Sequence, residues 1–182
     1  MNKKEARNLI EGMLSAGRKK QDVFTALSGK GVKDRVLAYR IAAYADPQRC
    51  AANKAHIRAL TVIACIELLF GMFVAFGIGA QISPISGLIF GVLAALFGAL
   101  FVWGFAKNKA NIYNGFILIS LTQLPRAFQG FSTAPGTTTI AVAINMTLVA
   151  YVWFVRSRLF PDFAFISPRK TNGKYVFLDE AN

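Results

Sequence analysis

Residues 59–81 read ALTVIACIELLFGMFVAFGIGAQ, 23 residues with one charged side chain, Glu67. About 20 apolar residues in a helix cross the ~30 Å hydrocarbon layer of a bilayer, and in lipid a helix satisfies its backbone N–H and C=O groups internally. The stretch therefore reads as a membrane span. Working outward, similar texture recurs at residues 87–106, 110–131 and 137–155. The borders carry turn formers or charge: Ser83 and Pro84, Lys107 and Lys109, Pro135 and Gly136, Arg156 and Arg158. Pro125 and Arg126 interrupt the third segment, which reads as a kinked or a short crossing.

The charge distribution agrees with this division. Of 182 residues, 54% belong to the apolar set, yet Lys and Arg number 21 against 9 Asp and Glu. Residues 1–58 hold 13 basic and 5 acidic groups, residues 59–155 hold 3 and 1, and residues 156–182 hold 5 and 3. A 97-residue stretch with four charges excludes a soluble enzyme of ordinary composition, a disordered chain and a disulfide scaffold. The fold class expected is an all-α integral membrane protein, a four-helix transmembrane bundle with a small N-terminal cytoplasmic helical domain and a C-terminal β-hairpin. The basic borders fall on one side of a four-pass topology, so both termini are expected in the cytoplasm. Residues 1–58 hold no apolar core of a signal peptide, and the first span is expected to act as the targeting signal. The absence of a eukaryotic sorting motif points to a bacterial inner membrane.

Residues 1–46 predict three short helices. Leu9, Ile10, Met13 and Leu14 mark the first, ended by Gly17; Val23, Phe24 and Leu27 mark the second; Val36, Leu37, Ile41 and Ala42 mark the third. Asp46 and Pro47 read as the start of a fourth helix, expected to run unbroken through residues 47–58 into the first span. Residues 156–182 form a tail, with strand formers at residues 163–166 and 174–178 and a turn at residues 168–173, a predicted β-hairpin. A lone hairpin is marginal in water, so it should pack on the helical domain, the membrane surface or another chain.

Glu67 lies nine residues past Arg58, about 13 Å into the bilayer. Intramembrane carboxylates are costly and often mark ion or proton paths; the plainer reading is a protonated or hydrogen-bonded group that fixes helix packing. Asn145, eleven residues before Arg156, falls at a similar depth of roughly 16 Å, and Thr122 and Gln123 also lie near mid-membrane. The four make a candidate intramembrane polar cluster or simply interhelical glue. Arg126 is expected to snorkel to the outer interface. Small residues repeat every four positions at Gly71, Ala75 and Gly79 and at Gly87, Gly91, Ala95 and Ala99. They predict a close antiparallel pairing of the first two spans or a face for a second copy.

Catalytic and metal-binding patterns are lacking. His56, the single histidine, sits at the membrane border, and Cys50 and Cys65 are fifteen residues apart, about 22 Å along one helix. No catalytic residue, cofactor, metal or enzymatic work is expected. Lys30, Lys33, Arg35 and Arg40 form the candidate lipid or partner surface. They suit anionic headgroups, a protein partner, or, through a loose helix-turn-helix resemblance in residues 24–41, nucleic acid; specific nucleic-acid binding is the least favoured. Function is read as that of a non-enzymatic adaptor or accessory subunit of a membrane complex, engaging a protein partner or another copy. The alternatives are a small oligomeric transporter or channel subunit using Glu67, and an immunity protein against a membrane-inserted toxin.

Overall fold

The computed structural model describes residues 2–178. It is mostly helical, with a two-stranded antiparallel hairpin near the C-terminus. Two compact units emerge, one from Met1–Asp46 together with Arg156–Asn182, the other from Pro47–Val155.

In the first unit α1 spans Lys3–Ser15, α2 Lys20–Leu27 and α3 Asp34–Ala42. The side chain of Asn2 accepts from the backbone N–H of Lys4 and Glu5, and the Glu5 carboxylate accepts from the N–H of Asn2, a reciprocal cap that fixes the start of α1. Ala6, Ile10 and Leu14 form its buried stripe, whereas Leu9, expected on that face, is 43% exposed. Gly17 has φ +80°, a left-handed conformation suited to glycine after a helix end. Val23 and Leu27 of α2 and Leu37, Ala38, Ile41 and Ala42 of α3 complete the helical share of the core.

The chain's other end supplies the rest. Leu159, Phe160, Phe163 and Phe177 are buried. Phe24 of α2 meets Tyr175 and Phe177 at 5.6 and 5.7 Å between ring centroids, and Tyr39 of α3 meets Phe163 edge-on at 5.3 Å. The tail thus packs on the helical domain, the first of the three placements open to it. Strands β1 (Lys170–Thr171) and β2 (Lys174–Tyr175) flank Asn172 and Gly173, with φ +51° and +77°. Two consecutive positive φ values are what a two-residue type I′ hairpin turn requires. This corrects the expected first strand at residues 163–166: Phe163 makes a single bridge to Pro168, and Phe165 and Ile166 are exposed.

The second unit contains α4 (Pro47–Ala52), α5 (Lys54–Ala80), α6 (Pro84–Ala106), α7 (Ala110–Phe128), a 3₁₀ turn (Gln129–Ser132) and most of α8 (Pro135–Leu159). The expected continuous helix through residues 47–58 is interrupted at Asn53. Its side-chain amide donates to the carbonyl of Arg49 at 2.9 Å, sharing the acceptor that its own backbone N–H uses. Helices α5, α6 and α8 are long and apolar enough to cross a membrane, as expected of an integral membrane protein. α7 falls outside that group because Asn111, Asn114, Thr122, Gln123 and Arg126 dilute its apolar content. It continues through Pro125 instead of stopping there.

α5 and α6 pack closely. A Cβ on Gly79 would lie 2.6 Å from the carbonyl oxygen of Ser86, and one on Gly87 would lie 3.1 Å from that of Phe76. Glycine there lets two backbones approach, which permits the close van der Waals packing that contributes to helix association in lipid. Between them Ser83 caps α6, accepting from the N–H of Ser86 ahead of Pro84. α7 joins α6 through Phe105, whose ring lies 4.8 Å from Tyr113 and 5.7 Å from Phe116. α8 meets α5 at His56, whose Nδ1 is 3.0 Å from the Tyr151 hydroxyl, while Ile140, Ile144 and Met146 stay exposed. These contacts describe a tight pair with looser neighbours and do not by themselves establish the four-helix bundle expected from the sequence.

Candidate functional site

Glu67 has thirteen residues of α5 on either side, which puts it about 20 Å from each end of the helix. It lines a cleft of about 240 Å³ within the second unit, between α5, α6 and α7. Gly71 shares its floor; Phe97, Gly98 and Phe101 of α6 and Phe116, Ser120 and Gln123 of α7 supply the walls. Phe101 meets Phe97 and Phe116 edge-to-face at 5.2 and 5.4 Å, so the aromatic wall is interlocked.

The structure brings together only part of the expected polar cluster. Glu67 and Gln123 line the same cleft. Thr122 is exposed and donates to the carbonyl of Ile119 at 2.8 Å, a bond within its own helix. Asn145 on α8 is not among the cleft's lining residues, and its Oδ1 is buried without a hydrogen-bond partner among the described residues. Glu67 likewise makes no hydrogen bond or ion pair with a described residue, so the pairing with Asn145 open from the sequence is not made.

The small-residue stripes divide by role. Gly79, Gly87 and Gly91 face the neighbouring helix, with a Cβ on Gly91 falling 3.4 Å from that of Phe76. A Cβ on Gly71 would meet nothing within 4 Å, in keeping with its place on the cleft, and Ala75 and Ala95 are half-buried. Gly98, outside the four-residue pattern, also faces α5, since a Cβ there would fall 3.0 Å from the side chain of Leu68. At about 100° per residue each four-residue step overshoots by roughly 40°, so a stripe begun at Gly87 turns away and Gly98 returns to its face. Ser120 and the three phenylalanines gave no signal in the sequence, because aromatic residues line lipid-facing and cleft-facing sides of these helices alike.

On the first unit Lys30, Lys33 and Arg35 are exposed and sit together in sequence at the start of α3; Arg40 is half-buried. Arg40 is five positions past Arg35, about 140° around the helix, so the fourth cation is on a different side. The hairpin adds exposed Arg169, Lys170 and Lys174, with the Lys170 ammonium 4.6 Å from the Tyr175 ring centre. No protein family, characterised protein or solved structure matches this chain, so its function has to be argued from these residues.

Proposed function

We propose that the chain is a non-enzymatic, four-pass inner-membrane protein with both ends in the cytoplasm, acting as an adaptor or accessory subunit through its basic extramembrane unit. The observation that carries the reading is the joining of the two chain ends in one compact unit. Ends that share a core lie on one side of a membrane, so the number of crossings between them is even. Three helices satisfy length and apolarity, and α7, whose 19 residues reach about 28 Å, is read as the fourth. The basic borders at Arg58, Lys107, Lys109 and Arg156 then face the cytoplasm.

With 15 basic and 8 acidic groups in Met1–Asp46 and Arg156–Asn182, the unit suits anionic headgroups or an acidic protein surface. Site-specific cross-linking from position 35 in intact cells is expected to trap a membrane-associated protein, and charge reversal at Lys30 and Lys33 to abolish the adduct. A sequence-selective DNA footprint that survives physiological salt would replace this reading with that of a tethered regulator. One observation favours a second reading, a small transporter or channel subunit: the cleft that holds Glu67 at mid-helix.

A further inference from the structure

We propose that the cleft between α5, α6 and α7 is a binding site for a small monovalent organic cation, a hydrophobic or quaternary ammonium, held by Glu67 against the phenylalanine wall. The site requires no transport and stands whether or not the extramembrane unit engages a partner.

A carboxylate in the middle of an apolar helix is retained in membranes when something compensates it. No described residue gives Glu67 an ion pair or a hydrogen bond, and a cationic guest supplies the counter-charge that the ionised form of this carboxyl requires. The opposite wall fits the same guest. Phe97, Phe101 and Phe116 line part of the space, and aromatic faces attract organic cations. Their edge-to-face locking at 79° and 83° turns rings in different directions around the void, which suits a rounded ammonium better than a flat ring.

Size narrows the class. At about 240 Å³ the cleft lies just below the ~300–1,000 Å³ of pockets for drug-sized ligands. The floor is open at Gly71, where an added side chain would enter the void without meeting a neighbour. Phe97 remains 53% exposed, leaving a flank for entry. An inorganic ion fits less well. Calcium takes six to eight oxygen ligands and magnesium a full octahedron, whereas this cleft offers one carboxylate, the Gln123 amide and the Ser120 hydroxyl, with phenyl rings, aliphatic side chains and glycine elsewhere. No group of three or more His, Cys, Asp or Glu that could hold a metal ion occurs among the described residues. A quaternary ammonium needs no hydrogen bonds and gains from both walls.

The test uses the full chain in nanodiscs of phosphatidylcholine, with equilibrium dialysis of radiolabelled trimethylphenylammonium and protein-free nanodiscs as the blank. Saturable binding is expected, weakened at least tenfold by Glu67→Gln and, independently, by Gly71→Leu, which fills the floor. Gly77→Leu, also in open space on α5 but outside the lining, should bind as the unaltered chain does, and Glu67→Asp should bind more tightly than Glu67→Gln. The neutral shape-mate tert-butylbenzene should not displace the probe. Lack of saturable binding, an unchanged affinity in Glu67→Gln, or displacement by tert-butylbenzene or equimolar sodium would each overturn the assignment.

Discussion

Asp162 is 0% exposed, yet its carboxylate is matched on both sides: the Lys20 ammonium donates at 2.6 Å and the backbone N–H of Leu178 at 2.7 Å. One residue thereby ties α2, the segment after α8 and the end of the hairpin. Arg156, also buried, donates to the carbonyl of Phe165 and lies over the Phe163 ring at 5.3 Å, anchoring the same segment from its other end. Removing one partner of a buried pair leaves an uncompensated charge and typically costs about 3–5 kcal/mol. Lys20→Met should therefore destabilise the first unit by that order, read as faster proteolysis between positions 160 and 178 and a lower thermal midpoint. Arg7→Ala, which breaks the exposed pair Arg7–Glu11, should leave both readouts nearly unchanged. None of this tie was legible in the sequence. Lys20 and Asp162 are 142 positions apart, and neither stands in a local pattern that distinguishes a buried charge from a solvated one.

Helix pairing in the second unit depends on where glycine meets backbone. At Gly79 a methyl group would strike the Ser86 carbonyl oxygen at 2.6 Å, and neither partner is a side chain able to rotate away. Gly79→Ala should force α5 from α6 and lower the stability of the pair by about 1–3 kcal/mol, the usual range for overpacking. Gly77→Ala, two positions away with nothing within 4 Å, should be neutral or stabilising by up to ~1 kcal/mol through helix propensity; thermal unfolding of both variants in nanodiscs compares them. The apolar helices were legible because length and composition suffice to mark them. The Asn53 interruption was not, since it rests on a side-chain bond to a carbonyl that a helix would otherwise use alone. The hairpin itself was legible and its register was not. Strand-forming residues at 163–166 drew the first strand too early, whereas the Asn172-Gly173 pair fixes a two-residue turn and so opposes Thr171 to Lys174.

At the scale of the whole chain, the proposed parity of crossings and the stability of the first unit depend on the same observation, that both ends of the chain belong to one compact unit. Reporter fusions after Lys109 and after Asn182 should score cytoplasmic, and fusions after Ser83 and within residues 130–134 external; an external C-terminus would mean that α7 does not cross. The folding consequence is independent of the membrane. Met1–Asp46 contributes three short helices, and cores in chains below about 70–80 residues rarely supply more than ~3–5 kcal/mol. Phe160, Phe163 and Phe177, which complete this core, come from beyond α8, and so does Asp162. Residues 1–46 alone should therefore show weak helicity and no cooperative melt by circular dichroism. Joined through a flexible linker to residues 156–182, they should melt in a single transition that Lys20→Met lowers. A cooperative transition in residues 1–46 alone would show that the helical domain is self-sufficient and that the tail packs on a core already complete.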